Sequence, residues 1–286
     1  MTTQFEIDCA LMAGGAYIEN RADINQFPTP TGWTEVSNSH FYDSRTGFEA
    51  VSFQRGSEIV ISYTGTDQAD DWYANGGLTF GLNANQLKQA ALYYLQVKEA
   101  NAGTTITFTG HSLGGGLAAL MGVMFNKNAV TFDQAPFANS ATGSVRDGVV
   151  AYLNDRGYRD TLATLAPELF SYAGGSDRTG NISGFYVQGE ALQYLPFSAI
   201  GTPTPLTHGS YFAPVDLHSQ ALLTAFLQSD AFREMTNRLP ELLGMVFDSK
   251  LFANHVDTTT KNLLEHLIRH QAGVSGTTPI DAGSAC

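Results

Sequence analysis

A serine between glycines, in the stretch Gly110–Gly114 (GHSLG), is the residue pattern with the clearest chemical potential in this sequence. A serine hydroxyl attacks the acyl carbon of an ester when a neighbouring base removes its proton. The pattern G-x-S-x-G alone is weak evidence, because it arises by chance in about one chain in ten of this length if Gly and Ser each make up ~7% of residues. The flanking elements therefore decide what it means.

The residues on either side of Ser112 predict a strand that runs into the motif and a helix that leaves it. The strand is expected over 104–109 (TTITFT) and the helix over 115–125 (GGLAALMGVMF). In such a sharp turn the serine backbone is strained, and only glycine two residues to either side avoids a collision. The free N–H groups of the first helical turn face developing negative charge. This context predicts that Ser112 is a nucleophile.

A base for Ser112 is expected on a loop that follows it in sequence and leads into a helix. His218 fits this position best, since the helical stretch SQALLTAFL begins at Ser219, which can cap it. His208, in the proline-rich loop TPTPLTHGS, is the alternative.

His266 and His270 have the i, i+4 spacing of zinc ligands, but H-E-x-x-H and a third ligand are missing. We interpret them as a solvated helix face and expect no metal.

The acid that would orient the histidine is expected after a strand of the same sheet. The segment 181–197 (NISGFYVQGEALQYLPF) predicts a strand that ends at Val187 or Gln188, with Glu190 in the loop beyond it. Asp133, directly after the predicted strand 129–132 (AVTF), is the main alternative, and Asp177 and Asp216 are weaker ones. Glu190 is the preferred candidate.

The remaining pattern predicts one α/β domain. Strands are expected at 48–54 and 58–63, and an amphipathic helix at 85–101. Strands that alternate with helices indicate a parallel sheet. We expect a single catalytic domain over 1–272, with 273–286 a tail or a linker to a further domain.

Composition narrows the partners and the location. The 286 residues are 43% hydrophobic, and 27 acids against 15 bases give a formal net charge of -12, which disfavours nucleic acid and anionic membranes. Cys9 and Cys286 lack the close partner of a metal or redox site. The sequence has no apolar run that approaches a membrane span, and its first residues lack the basic region of a secretory signal. We expect an extracellular protein exported by another route, or a cytoplasmic one.

Three segments give the sequence its resemblance to the class 3 lipases, an α/β-hydrolase family of fungal triglyceride lipases and bacterial lipases and phospholipases. The stretch 59–80 (IVISYTGTDQADDWYANGGLTF) is similar to the strand and lid of that family, and 106–122 (ITFTGHSLGGGLAALMG) is similar to its serine turn. In 189–197 (GEALQYLPF), Glu190 stands at the position of the family aspartate. The resemblance spans about residues 48–220.

The resemblance implies further parts of the site. Thr66, through its backbone and hydroxyl, and the backbone N–H of Leu113 would form the oxyanion hole, and residues 68–77 would form a short lid over Ser112. It also implies a serine hydrolase of lipid esters, of the triacylglycerol lipase or phospholipase A type, that uses a Ser112–His218–Glu190 triad and needs no cofactor. A short-chain carboxylesterase or an acyltransferase is the alternative, and a non-catalytic binding module is a remote one. The oligomeric state stays open.

Overall fold

One mostly parallel β-sheet forms the centre of the protein. The computed structural model describes residues 2–19, 27–65, 84–209, 212–241 and 263–273. Within these residues the sheet has eight strands in the order β1-β3-β4-β5-β6-β7-β8, with β2 paired to β3. The strands are β1 (Thr34–Glu35), β2 (Phe41–Asp43), β3 (Phe48–Arg55), β4 (Glu58–Tyr63), β5 (Thr105–His111), β6 (Ala129–Phe132), β7 (Ile182–Val187) and β8 (Thr204–Leu206).

Helices flank the sheet on both faces. In chain order they are α1 (Gln4–Gly15), α2 (Ala84–Ala100), α3 (Leu113–Met124), α4 (Gly143–Leu153), α5 (Leu162–Leu165), α6 (Pro167–Phe170), α7 (Pro214–Leu217), α8 (Gln220–Gln228), α9 (Asp230–Arg238) and α10 (Leu263–Gln271). Short 3₁₀ turns lie at Ala138–Ser140, Thr179–Asn181 and Ala191–Tyr194, and a π-helical turn lies at Asn154–Tyr158. The predicted α/β-hydrolase class, a mostly parallel sheet flanked by helices, is confirmed.

The order and direction of the strands follow from the connections between them. β3 and β4 form an antiparallel pair in which Arg55 lies opposite Glu58 across a short turn. From β4 to β8 every pair of neighbours is parallel, as expected when helices such as α3 carry the chain back between strands. The carboxyl ends of β5, β6 and β7 therefore lie at one edge of the sheet, where ligands bind in open α/β sheets.

The two faces of the sheet belong to separate apolar clusters, because alternate residues of a strand point to opposite sides. In β4, Ile61 and Tyr63 belong to the cluster under α2, α3 and α4, whereas Val60 belongs to the cluster under α1, α8 and α10. Tyr94 of α2 fills the first cluster, with its ring 4.7 Å from that of Phe125. The sheet is thus buried on both sides.

Helix α1 is a buried helix that the sequence analysis did not predict. Thr3 caps it in a capping box with Glu6. Its central residues, 8–14, are all buried against β5, β6 and α8, and burial raises the pKa of the Cys9 thiol. The helix includes the acidic residue Asp8, which accepts hydrogen bonds from the Trp33 indole and the Arg55 guanidinium. Among the described helices, none has the length and apolar character to cross a membrane.

Candidate active site

The turn between β5 and α3 presents Ser112 at the carboxyl edge of the sheet. Ser112 has φ 58° and ψ −124°, a strained backbone conformation outside the helix and strand regions. A Cβ at Gly110 would lie 2.5 Å from the Gly114 carbonyl, and one at Gly114 would collide with the carbonyl oxygen of Tyr63. Glycine at these two positions is therefore what lets strand, turn and helix approach each other closely. The turn matches the one predicted from the sequence.

Ser112, His218 and Glu190 form a continuous chain of hydrogen bonds. Nε2 of His218 lies 2.8 Å from Oγ of Ser112, and Nδ1 of the same ring lies 2.8 Å from Oε2 of Glu190. The three residues are 106 and 28 positions apart in sequence, so the fold alone brings them together. This is the arrangement in which an imidazole can take a proton from a serine hydroxyl while a carboxylate holds the ring.

Two short helices hold His218 in place. His218 follows α7, which begins with Pro214, and it precedes α8, whose first turn is capped by a hydrogen bond from the Leu222 N–H to the Ser219 hydroxyl. The alternative base, His208, lies in the β8 loop, where its Nε2–H donates to the carbonyl oxygen of Gln188 at 2.7 Å. The structure thus brings His218 to Ser112 and engages Nε2 of His208 elsewhere.

Glu190 lies in the turn after β7 and is 2% exposed. Its Oε2 accepts a hydrogen bond from the backbone N–H of Leu192 at 2.7 Å, so the carboxylate caps the 3₁₀ turn that follows and is fixed in orientation. Asp133, the alternative acid, follows β6 and is fully buried, with its Oδ1 accepting from the N–H of Val187 at 2.9 Å. Of the two carboxyl groups, Glu190 makes the hydrogen bond to His218.

The predicted oxyanion hole lies partly within the described residues. Leu113 is the first residue of α3, and the N–H groups in the first turn of a helix have no acceptor within that helix. Its N–H is therefore available to negative charge that develops beside Ser112. Thr66 and the predicted lid, 68–77, lie outside the described residues. The oxyanion roles of Thr66 and Leu113 stay predictions.

The comparison with protein families decides the family of this chain. A family model described as "Phospholipase-like: Tle-like phospholipase domain" matches residues 8–211. The chain belongs to this family. The predicted membership of a lipase or phospholipase family is thereby confirmed. The matched residues include Ser112 and Glu190, whereas His218 follows the end of the matched range.

Individual relatives of this Tle-like phospholipase domain protein share about a third or less of their aligned residues with it. The extracellular phospholipase A1 of Serratia liquefaciens is 32% identical over 100 residues, which are 35% of this chain and 31% of that protein. The match thus spans about a third of that relative's length. Among solved structures, lipase II from Rhizopus niveus has a TM-score of 0.45 at 12% identity, over 71% of this chain and 79% of that one. A triacylglycerol lipase from Penicillium expansum has a TM-score of 0.41 at 15% identity, over 71% of this chain and 78% of that one.

Potential metal ligands also lie in this phospholipase-family site. Among the described residues, His111, Asp133 and His218 have donor atoms within 4.8 Å of one another. Both ring nitrogens of His218, however, are hydrogen-bonded to Ser112 and Glu190. A metal on His218 would have to displace one of these partners. In the described geometry, the His218 nitrogens that a metal would bind are thus already used by Ser112 and Glu190.

Two residues near the site of this Tle-like phospholipase domain, Tyr17 and His111, were not predicted from the sequence. The Tyr17 hydroxyl accepts a hydrogen bond from the Gly65 N–H at 2.9 Å, next to Ser112 and one residue before Thr66. The ring of His111 lies 4.8 Å from that of His218. Tyr17 is 48 residues from Gly65, so no local pattern could reveal the contact. His111 was visible only as the residue before the serine.

Proposed function

We propose that this protein hydrolyses the carboxylic ester bonds of lipids through an acyl-serine intermediate, with phospholipids as the preferred substrates. The observation that carries the proposal is the hydrogen-bonded chain from Ser112 Oγ through the His218 ring to the Glu190 carboxylate. Membership of the Tle-like phospholipase domain family supports the lipid class of the substrate. The phospholipase A1 name of the Serratia relative supports a phospholipid within that class.

The first half of the proposed reaction transfers the acyl group to Ser112. A lone pair of Ser112 Oγ forms a bond to the ester carbonyl carbon while Nε2 of His218 accepts the hydroxyl proton. The resulting tetrahedral oxyanion accepts a hydrogen bond from the Leu113 N–H, with Thr66 as the second proposed donor. The carbon–oxygen bond to the alcohol then breaks, and the proton on Nε2 passes to the departing oxygen.

The second half regenerates the enzyme by the same route with water as the nucleophile. Nε2 of His218 takes a proton from water, and the water oxygen attacks the acyl carbon. The bond from the acyl carbon to Ser112 Oγ then breaks, and Ser112 Oγ takes the proton back from Nε2. Glu190 holds Nδ1–H throughout and stabilises the imidazolium that forms in each half. The fatty acid leaves, and the site returns to its starting state.

A lipid panel with a serine variant tests this function. We expect the wild-type protein to release fatty acid from phosphatidylcholine vesicles and more slowly from trioleoylglycerol emulsions. Ser112→Ala should lower kcat by up to about 10⁶-fold, because the nucleophile is gone. Ser57→Ala is the matched control, since Ser57 is exposed in the β3–β4 turn, at the opposite end of β4 from the site.

The same panel contains the results that would contradict the proposal. Phospholipid hydrolysis by Ser112→Ala at the wild-type rate would remove Ser112 from the mechanism. Hydrolysis of p-nitrophenyl acetate without release of fatty acid from either lipid would identify a short-chain carboxylesterase instead. Capture of the acyl group by added alcohol in preference to water would identify an acyltransferase.

A further inference from the structure

A second buried acid, Asp133, ties together the strand ends that carry the site. Its backbone N–H donates to the Phe185 carbonyl oxygen at 2.9 Å, and its Oδ1 accepts from the Val187 N–H at 2.9 Å. Both partners belong to β7, which ends three residues before Glu190. Asp133 itself adopts a positive φ of 40° directly after β6, a conformation that Asp and Asn tolerate better than most residues. The side chain thus fixes the start of the turn that holds Glu190.

The other oxygen of Asp133 faces the histidine beside the nucleophile. Oδ2 lies 3.4 Å from Nε2 of His111, and both side chains are almost completely buried. The His111 ring in turn packs against the His218 ring, with centroids 4.8 Å apart and planes tilted by 34°. Asp133 therefore lies next to His111, which packs against His218, and it is hydrogen-bonded to β7, which leads to Glu190.

Two buried carboxyl groups, Asp133 and Glu190, thus lie beside the paired rings of His111 and His218, and in the proposed reaction only His218 becomes an imidazolium. In a buried space, two like charges with a single cationic partner cannot both be stable. The negative charge is better stabilised on Glu190, because its Oε2 accepts hydrogen bonds from both the Leu192 N–H and the His218 ring. The titratable groups that face Asp133 among the described residues are His111 from β5, His218 after α7 and Glu190 after β7.

We propose that Asp133 is a positioning residue that stays protonated while Glu190 is ionised, and that its retained proton faces Nε2 of His111 and holds that ring against His218. This inference rests on the proposed function, because it concerns the same hydrolytic site. Burial raises the pKa of Asp133 well above its ordinary value, and the charge on Glu190 acts in the same direction. The site then has one negative charge for its one imidazolium, and the second acid serves only to orient.

Three variants distinguish a neutral positioning acid from an ionised one. Asp133→Gly keeps the positive φ but removes the carboxyl group, so kcat for phosphatidylcholine should fall by about 10- to 100-fold with KM within about twofold, as when a group that orients a reacting residue is lost. Asp133→Asn copies the neutral acid, since its amide can accept from Val187 and donate to His111, and should restore kcat toward the wild-type value. Glu190→Gln should lower kcat by about 10⁴-fold, because it removes the charge and the required tautomer.

The pH dependence of kcat/KM supplies a readout that depends on charge rather than on folding. A neutral Asp133 predicts that the acid limb of Asp133→Asn coincides with that of the wild type. Loss of an ionised neighbour would destabilise the His218 imidazolium and move the limb to lower pH. An acid limb of Asp133→Asn that moves to lower pH would overturn the proposal. A kcat of Asp133→Asn as low as that of Glu190→Gln would also overturn it, and so would a wild-type kcat in Asp133→Gly. A wild-type protein that hydrolyses no ester would refute the proposed function instead.

Discussion

At the scale of single residues, the site depends on glycines, which have no side chain, as much as on its polar side chains. Ser112 holds a strained backbone because Gly110 and Gly114 leave room for the Tyr63 carbonyl and the first turn of α3. Any Cβ at these positions meets backbone atoms, which cannot rotate away. The strain therefore remains in the folded protein, and it is the fit of strand, turn and helix that sustains it.

The same substitution at two glycines should have opposite effects on stability. Gly114→Ala should lower the free energy of unfolding by about 1–3 kcal/mol or more through overpacking and reduce activity as the turn shifts. Gly148→Ala, within α4 where a Cβ meets nothing within 4 Å, should raise it by about 0.5–1 kcal/mol and leave activity intact. Denaturant unfolding beside an ester assay measures both. An equally stable and active Gly114→Ala protein would contradict the close-approach argument.

The sequence predicted the residues of the site to different depths. Ser112 is visible locally, since one short stretch contains the strand, the turn and the helix. Glu190 and His218 were the preferred candidates, but Asp133 and His208 stayed open, because sequence position indicates the edge of the sheet without the distances across it. The hydrogen bonds 28 and 106 residues apart in sequence that distinguish them exist only in the fold.

At the scale of secondary structure, the sequence predicted the strands and helices next to the site but missed helix α1. The amphipathic helix expected at 85–101 is α2, Ala84–Ala100, and the strand expected at 129–132 is β6. Helix α1 escaped because its residues 8–14 are buried without interruption, so no polar face marks its period. Asp8 lies inside that buried run, where the Trp33 indole and the Arg55 guanidinium donate hydrogen bonds to its carboxylate.

At the scale of the whole molecule, the net charge of -12 should govern which lipid surfaces the protein approaches. Repulsion from an anionic surface extends over a Debye length of about 30 Å at 0.01 M salt and about 10 Å at 0.1 M. We therefore expect hydrolysis of phosphatidylglycerol vesicles to accelerate as NaCl rises from 0.01 M to 0.1 M. Phosphatidylcholine vesicles are the matched control, and their rate should not change. Faster phosphatidylglycerol hydrolysis at the lower salt would show that a local basic surface dominates the net charge.

Covalent trapping of the nucleophile tests the central claim most directly. A fluorophosphonate reacts with a serine only where a base and an oxyanion site activate it, and mass spectrometry of the digested protein locates the adduct. We expect one adduct, on the peptide that contains Ser112, and none in Ser112→Ala under the same conditions. An adduct on a different residue, or an unlabelled wild-type protein that still hydrolyses phospholipid, would contradict the account.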